Sequence, residues 1–234
     1  MRRGGGNGRC QGRRSQGHHV SVGAIILAEC DPVIAELVAQ TGLPKVPPAG
    51  ESHFATLVRS IVYQQLAGAA ARAIHGRLIA ALGDDVSPEA VLRTPTETLR
   101  AVGLSGRKVE SLRDLAAKTL DGTVVIDPRG AARLADEELI DRLSTVKGIG
   151  RWSAQMFLMF QLRRLDVWPV GDLAVRKGYG LAWKVPTPTP KQLELLGESF
   201  RPYRSVAAWY CWQAVRLYAG VTPIVPTASS APTS

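Results

Sequence analysis

Residues 143–172, LSTVKGIGRWSAQMFLMFQLRRLDVWPVGD, hold the residue types in this chain that are best spaced to do chemistry. Lys147-Gly148-Ile149-Gly150 sets two glycines around one apolar residue, between two helical patterns. Glycine admits positive φ and lets another backbone come close. Such a turn presents main-chain N–H groups at the start of the next helix, where the helix dipole helps them hold a phosphate oxygen. Lys147 adds a positive charge beside that phosphate and Ser153 adds a hydroxyl, while Ile149 packs the two helices together. Trp152 stands two residues beyond Gly150, and Asp172 follows 20 residues after Trp152, behind a Gly- and Pro-containing loop. A fixed carboxylate can stabilise a cationic sugar centre or direct a water to it. The same residue also suits an ordinary helix N-cap, worth about 1 kcal/mol, and the hairpin also suits a plain turn between helices. Spacing alone leaves both pairs of readings open. The nearby carboxylate, Asp166 in RRLDVWP, is better placed for a structural ion pair.

The elements that must position these residues are helices. Phe54, Leu57, Val58, Ile61 and Val62 recur at helical spacing after Ser52, and Ala70, Ile74, Leu78 and Leu82 do so up to Gly83. Ser87-Pro88-Glu89 opens a short helix with Ser as N-cap and Pro in the first turn. Thr94-Pro95-Thr96-Glu97 is expected to open another through a capping box. Val109, Leu112, Ala116 and Leu120 form one face ending at Gly122. Residues 136–143 and 152–162 flank the hairpin. Further helices are predicted over 172–183, from Pro190, and over 206–218. Thr123–Ile126 is the one strand-like run and is too isolated to build a sheet. The class is all-α.

Composition sets the limits. A chain of 234 residues suits one domain or two small ones. It has no run of 18 apolar residues, so no membrane span is expected. The apolar stretch SVGAIILAEC is short and broken by Glu29. No convincing cleavage pattern precedes Asp31-Pro32, so it is not expected to be a signal peptide. The net charge is +9, and residues 1–19 hold five arginines and no acid, so most of the excess lies in a tail of Gly, Arg, Gln and Ser. That tail reads as a solvated extension with general attraction to phosphate as the alternative. Cys10, Cys30 and Cys211 are far apart and odd in number, which argues for no disulfide framework or metal site and favours a reducing compartment. The four histidines form no metal spacing.

Several motifs in order carry a resemblance. L-S-T-V-K-G-I-G-R-W-S-A is similar to the helix-hairpin-helix element of DNA glycosylases, and the stretch through Val170-Gly171-Asp172 resembles that superfamily's signature. Phe54 to Leu66, with Tyr63-Gln64-Gln65-Leu66 at its end, resembles the first core helix of the 3-methyladenine DNA glycosylase II branch. Ala101-Val102-Gly103-Leu104-Ser105-x-x-Lys108 resembles its later turn and helix, and Arg201-Pro202-Tyr203-Arg204-Ser205 its final helix start. The resemblance covers roughly residues 28–220. It implies the HhH-GPD fold, two helical subdomains with the active-site cleft between them: 23–52 with 145–220, carrying the hairpin and the catalytic aspartate, and 53–144, a helical bundle. Residues 1–22 and 221–234 are expected to be tails. About 50 residues precede Phe54, so the chain resembles the compact form that lacks an N-terminal β domain.

The resemblance also implies a function: a monofunctional DNA glycosylase of base excision repair that releases alkylated purines such as 3-methyladenine after base flipping. Asp172 is then catalytic. Trp152, Trp212, Met156 and Tyr63 line the base pocket, with Trp209 a further candidate. Lys147, Gly148, Ile149, Gly150 and Ser153 bind the backbone, and Gln64, Gln65 and Leu66 form the turn that enters the duplex, with a core role for Leu66 left open. Bifunctional relatives place Lys where this chain has Trp152, so no Schiff base is expected there. One cysteine stands where iron–sulfur relatives carry four, so no cluster, other cofactor or metal is expected. The expected partner is duplex DNA containing alkylated bases, bound by a monomer away from any membrane, in the cytoplasm of a bacterium or the nucleus of a eukaryote. The alternatives are a non-catalytic DNA-binding protein that kept the hairpin, and a glycosylase for deaminated bases.

Overall fold

Local capping chemistry divides this chain into helices. The computed structural model describes residues 20–45 and 51–219, and every regular element among them is helical. The expected tails fall outside the described residues, except that residues 20–22 lie in the first helix, α1 (Val20–Cys30). Asp31 then starts α2 (Pro32–Thr41): its Oδ1 accepts the N–H groups of Val33 and Ile34 at 2.8 and 3.1 Å. A carboxylate before proline is a strong helix start, and it separates α1, which holds the short apolar run, from α2.

Ser52 caps α3 (His53–Tyr63), which buries the predicted face of Phe54, Leu57, Val58, Ile61 and Val62. Next come α4 (Gly68–Ala81) and α5 (Pro88–Arg93), the latter capped by Ser87 as expected. The capping box expected at Thr94 does not form. The Thr94 hydroxyl donates back to the Ala90 carbonyl at 2.8 Å and closes α5, so α6 (Thr96–Ala101) starts after Pro95 with no side-chain cap. Ser105 caps α7 (Gly106–Leu120). The strand-like run after it folds back instead, with the Val124 N–H donating to the Lys118 carbonyl at 2.8 Å and Val124 buried. Asp127-Pro128 opens α8 (Pro128–Arg133), a helix the apolar periodicity did not predict.

The hairpin lies between α9 (Asp136–Ser144) and α10 (Arg151–Phe160). Asp172 caps α11 (Leu173–Ala182). Thr189 and Gln192 form a reciprocal capping box on α12 (Pro190–Leu196), and a 3₁₀ turn over Gly197–Phe200 leads to α13 (Arg204–Tyr218). No described helix is long and apolar enough to cross a membrane.

Residues 51–164 form one compact unit, and residues 20–45 with 165–219 form another. In the first, α7 packs against α3, α5 and α6 and buries Val109, Leu112, Leu115 and Ala116. The hairpin belongs to this unit and not, as expected, to the one carrying Asp172, because its backbone is tied to α7. In the second unit, α11 crosses α13 so closely that a Cβ on Gly178 would lie 1.8 Å from the Cys211 carbonyl oxygen. No side chain fits there, so glycine is required at Gly178. Cys211 is a free, buried thiol.

Candidate active site and nucleic-acid interface

In the 51–164 unit the hairpin is closed by the Ile149 N–H, which donates to the Val146 carbonyl at 3.0 Å. Ile149 is buried and packs the turn from inside. Gly148 has φ +82, and a Cβ there would lie 2.7 Å from the Ser111 hydroxyl oxygen. Glycine is therefore required by conformation and by space. Gly150 is the N-cap of α10, and no side chain caps that helix. The first turn of α10 thus carries the positive end of its dipole on N–H groups that no capping side chain covers. The Lys147 side chain is exposed, while its own N–H donates to Asp114 Oδ2 at 2.8 Å. Lys118 holds the same carboxylate at 2.9 Å and also donates to the Thr145 carbonyl. Burial works against the Asp114 charge, but the Lys147 N–H and Lys118 outweigh it and hold that carboxyl below its ordinary value.

A second loop of this unit follows α3. Gln65 takes φ +56, rare for a residue with a side chain, and Leu66 is 37% exposed. That exposure sets aside the core role for Leu66. Gln64 is half-buried, and its side-chain amide donates to the Gly148 carbonyl at 2.9 Å. The structure thus joins the two loops assigned to DNA from sequence. On α10, Trp152 is 54% exposed and Met156, one turn on, is half-buried, so both belong to one helix face. Ser153 is half-buried beside them. Tyr63 is also half-buried, its ring edge-on to His75 at 5.9 Å and 5.9 Å from the Arg59 guanidinium.

In the other unit, the loop over 165–171 delivers Asp172 to the start of α11. The Asp172 N–H donates to the Pro169 carbonyl at 2.9 Å. Its Oδ1 accepts the Val175 N–H at 2.9 Å and the Trp212 indole N–H at 3.4 Å. Asp172 is 9% exposed and Trp212 is half-buried. The close crossing at Gly178 and Cys211 brings α11 and α13 together and so sets this pair. Burial pushes the Cys211 thiol well up, and the neighbouring Asp172 charge adds to the effect. Asp166 makes the ion pairs expected of it, to Arg201 at 2.6 Å and Arg204 at 2.8 Å. Trp209 packs edge-on against Tyr210, with ring centres 4.9 Å apart. A buried carboxylate beside an indole can stabilise a cation, and an exposed indole can stack on a base.

Sequence reasoning missed the polar side of α7. Lys108, Ser111, Asp114 and Lys118 recur three or four residues apart, and each touches one of the two loops. Their helical spacing was a visible signal, but the residues they meet lie tens of positions away in sequence.

Comparison with known proteins bears on the family and the fold. The sequence pattern of the HhH-GPD superfamily base excision DNA repair proteins matches residues 58–202, a span that includes the end of α3, all of α7, the hairpin and Asp172. The chain is 39% identical over 173 residues to DNA-3-methyladenine glycosylase 1 of Schizosaccharomyces pombe, covering 73% of this chain and 75% of that protein. The structure of a DNA-3-methyladenine glycosidase from Bacillus halodurans superposes with a TM-score of 0.75 at 33% identity, over 83% of this chain and 89% of that one. The S. pombe 3-methyladenine DNA glycosylase, solved in complex with abasic DNA, superposes with a TM-score of 0.68 at 36% identity, over 83% and 96%.

Proposed function

The chain belongs to the HhH-GPD superfamily of base excision DNA repair proteins, and we propose that it is a monofunctional glycosylase that hydrolyses the N-glycosidic bond of alkylated purines in duplex DNA, 3-methyladenine among them. The names of its relatives support that substrate class, and the chemistry fits one carboxylate. The bond from the deoxyribose C1′ to the base nitrogen breaks, and its electron pair leaves with the base. C1′ becomes oxocarbenium-like, water adds to it, and a proton is released. A fixed carboxylate stabilises the cation or orients the water. An N3- or N7-alkylated purine already carries a positive charge and departs neutral, so no second group is needed to protonate it.

The target lies inside the duplex and must be extruded. The hairpin, with Lys147 and Ser153, holds the backbone without regard to sequence. Leu66, flanked by Gln64 and Gln65, fills the gap. Trp152, Trp212, Met156 and Tyr63 receive the base, and an indole face favours a cationic ring over a neutral one by roughly 0.5–2 kcal/mol. With an indole instead of an amine at Trp152, that position supplies no Schiff-base nucleophile, and the reaction ends at base release. The protein acts as a monomer.

The observation that carries this reading is the second partner of Asp172. An N-cap needs only the Val175 N–H. The Trp212 indole, brought in from α13, adds an aromatic group to a largely buried carboxylate. The test is mass spectrometry of bases released from methylated duplex DNA. Wild type should release 3-methyladenine, and Asp172→Asn should be roughly 10²–10³-fold slower while still binding DNA. Release by neither protein would favour a binding module, and equal release by both would remove Asp172 from the chemistry.

A further inference from the structure

One half-buried ammonium has no place in the scheme above. Lys108 lies near the start of α7, and its Nζ donates to the Val62 carbonyl at 2.7 Å and the Gln64 carbonyl at 2.9 Å. Both acceptors belong to the end of α3, where the helix leaves carbonyls without intrahelical partners and the dipole is negative. The residue that follows, Gln65, is held at φ +56, and the next, Leu66, projects 37% exposed. Gln64 is gripped twice. Its carbonyl accepts from Lys108, and its side-chain amide donates to the Gly148 carbonyl at 2.9 Å. Gly148 in turn sits against Ser111, one turn along α7 from Lys108, and Asp114 on the same helix takes the Lys147 N–H. Burial lowers the pKa of Lys108, a cost that a surface lysine would avoid.

We propose that Lys108 is a positioning residue for base extrusion: it fixes the Gln64–Leu66 turn against the hairpin, so that Leu66 enters the duplex in register with the phosphates the hairpin holds. The inference rests on the glycosylase reading and names how two of its parts are coupled. Two charge-assisted hydrogen bonds at a helix end hold a left-handed turn that its own residues do not favour. Without them the turn is free to place Leu66 in several orientations, while the hairpin keeps its ties to Ser111, Asp114 and Lys118. The effect should therefore fall on stack opening and release, and not on affinity for undamaged duplex.

The experiment combines Lys108→Met with Leu66→Ala, singly and together. Two quantities are read: single-turnover base release from methylated duplex, and the fluorescence rise of 2-aminopurine placed beside an abasic-site analogue. Lys108→Met should lower both by roughly tenfold and leave affinity for undamaged duplex within about twofold. If Lys108 acts through Leu66, the double variant should fall no more than about twofold below the weaker single variant. Multiplicative effects, or a Lys108→Met protein equal to wild type, would overturn the proposal. Should Lys108→Met fail to fold, Gln64→Ala cuts the link to Gly148 at a half-buried site and should show the same non-additivity with Leu66→Ala; multiplicative behaviour there would overturn the proposal equally. A wild-type protein that neither opens the stack nor releases a base would overturn the glycosylase reading and this proposal with it. A wild type that does both, with multiplicative variants, would overturn the positioning role alone.

Discussion

The two units hold their functional residues by different means. In the 51–164 unit, polar side chains on one helix tie down two loops: Lys108 the turn after α3, and Ser111, Asp114 and Lys118 the hairpin. In the unit that carries Asp172, the controlling contact is bare backbone, with α11 resting on α13 at Gly178 and the Cys211 carbonyl. Polar ties can be loosened one at a time and restored by a compensating change. A backbone contact at van der Waals distance has no flexible atom to give way. In the proposed function, the first arrangement suits loops that would follow a duplex, and the second a carboxylate that would stay in place beside a developing charge.

The largest effect should come from the backbone contact. Gly178→Ala places a Cβ 1.8 Å from the Cys211 carbonyl oxygen and 2.5 Å from its carbon, so the helices must part. We expect a loss of about 3 kcal/mol in urea unfolding, the upper end for overpacking a core, and with it the loss of base release. A variant as stable as wild type would show that the crossing is not under this constraint.

Gly148→Ala should cost less, because what its Cβ meets is the Ser111 hydroxyl, the end of a side chain. Affinity for undamaged duplex should fall roughly tenfold, from backbone strain at φ +82 plus the displaced Ser111, with the spectrum of released bases unchanged. Adding Ser111→Gly should restore part of that loss and leave the φ strain of about 1 kcal/mol. Gly178→Ala has no such rescue, since the obstructing atoms are main chain. Full restoration by Ser111→Gly, or none, would break the contrast between the two glycines.

The same contrast explains what the sequence revealed. The helix starts at Ser52, Ser87 and Asp172 were legible because an N-cap and the N–H that donates to it lie within three residues. The cap at Thr94 misled because its hydroxyl had a competing local acceptor, the Ala90 carbonyl, which apolar periodicity does not reveal. The hairpin glycines were legible as glycines. What makes Gly148 obligatory, Ser111, lies 37 residues away on another helix, and Lys108 lies 44 residues from the Gln64 carbonyl it binds. The grouping of the hairpin with Asp172 failed for the same reason. Adjacency in the chain placed them together, while long-range ties to α7 place the hairpin elsewhere. At Asp172 the sequence supplied the N-cap and named Trp212 separately, and only the α11–α13 crossing joined the Trp212 indole to the Asp172 carboxylate.

The smallest effect separates the two arrangements by charge. Asp114 has its carboxyl lowered because the Lys147 N–H and Lys118 outweigh the burial that opposes its charge. A carboxylate lowered on folding adds stability that is fully present above its unfolded value and is lost as the pH falls through its folded value. The tie to the hairpin should therefore persist through neutral and mildly acidic pH and release only below the ordinary value of 3.8. The Lys147 amide proton, followed by nuclear magnetic resonance, should shift with a midpoint below 3.8, and Asp114→Asn should abolish that shift. The Gly178 amide, on a helix held by contact rather than charge, should not follow this titration. A midpoint at or above 3.8, or a Gly178 amide that follows the same curve, would mean that the two units are not held by different forces at these points.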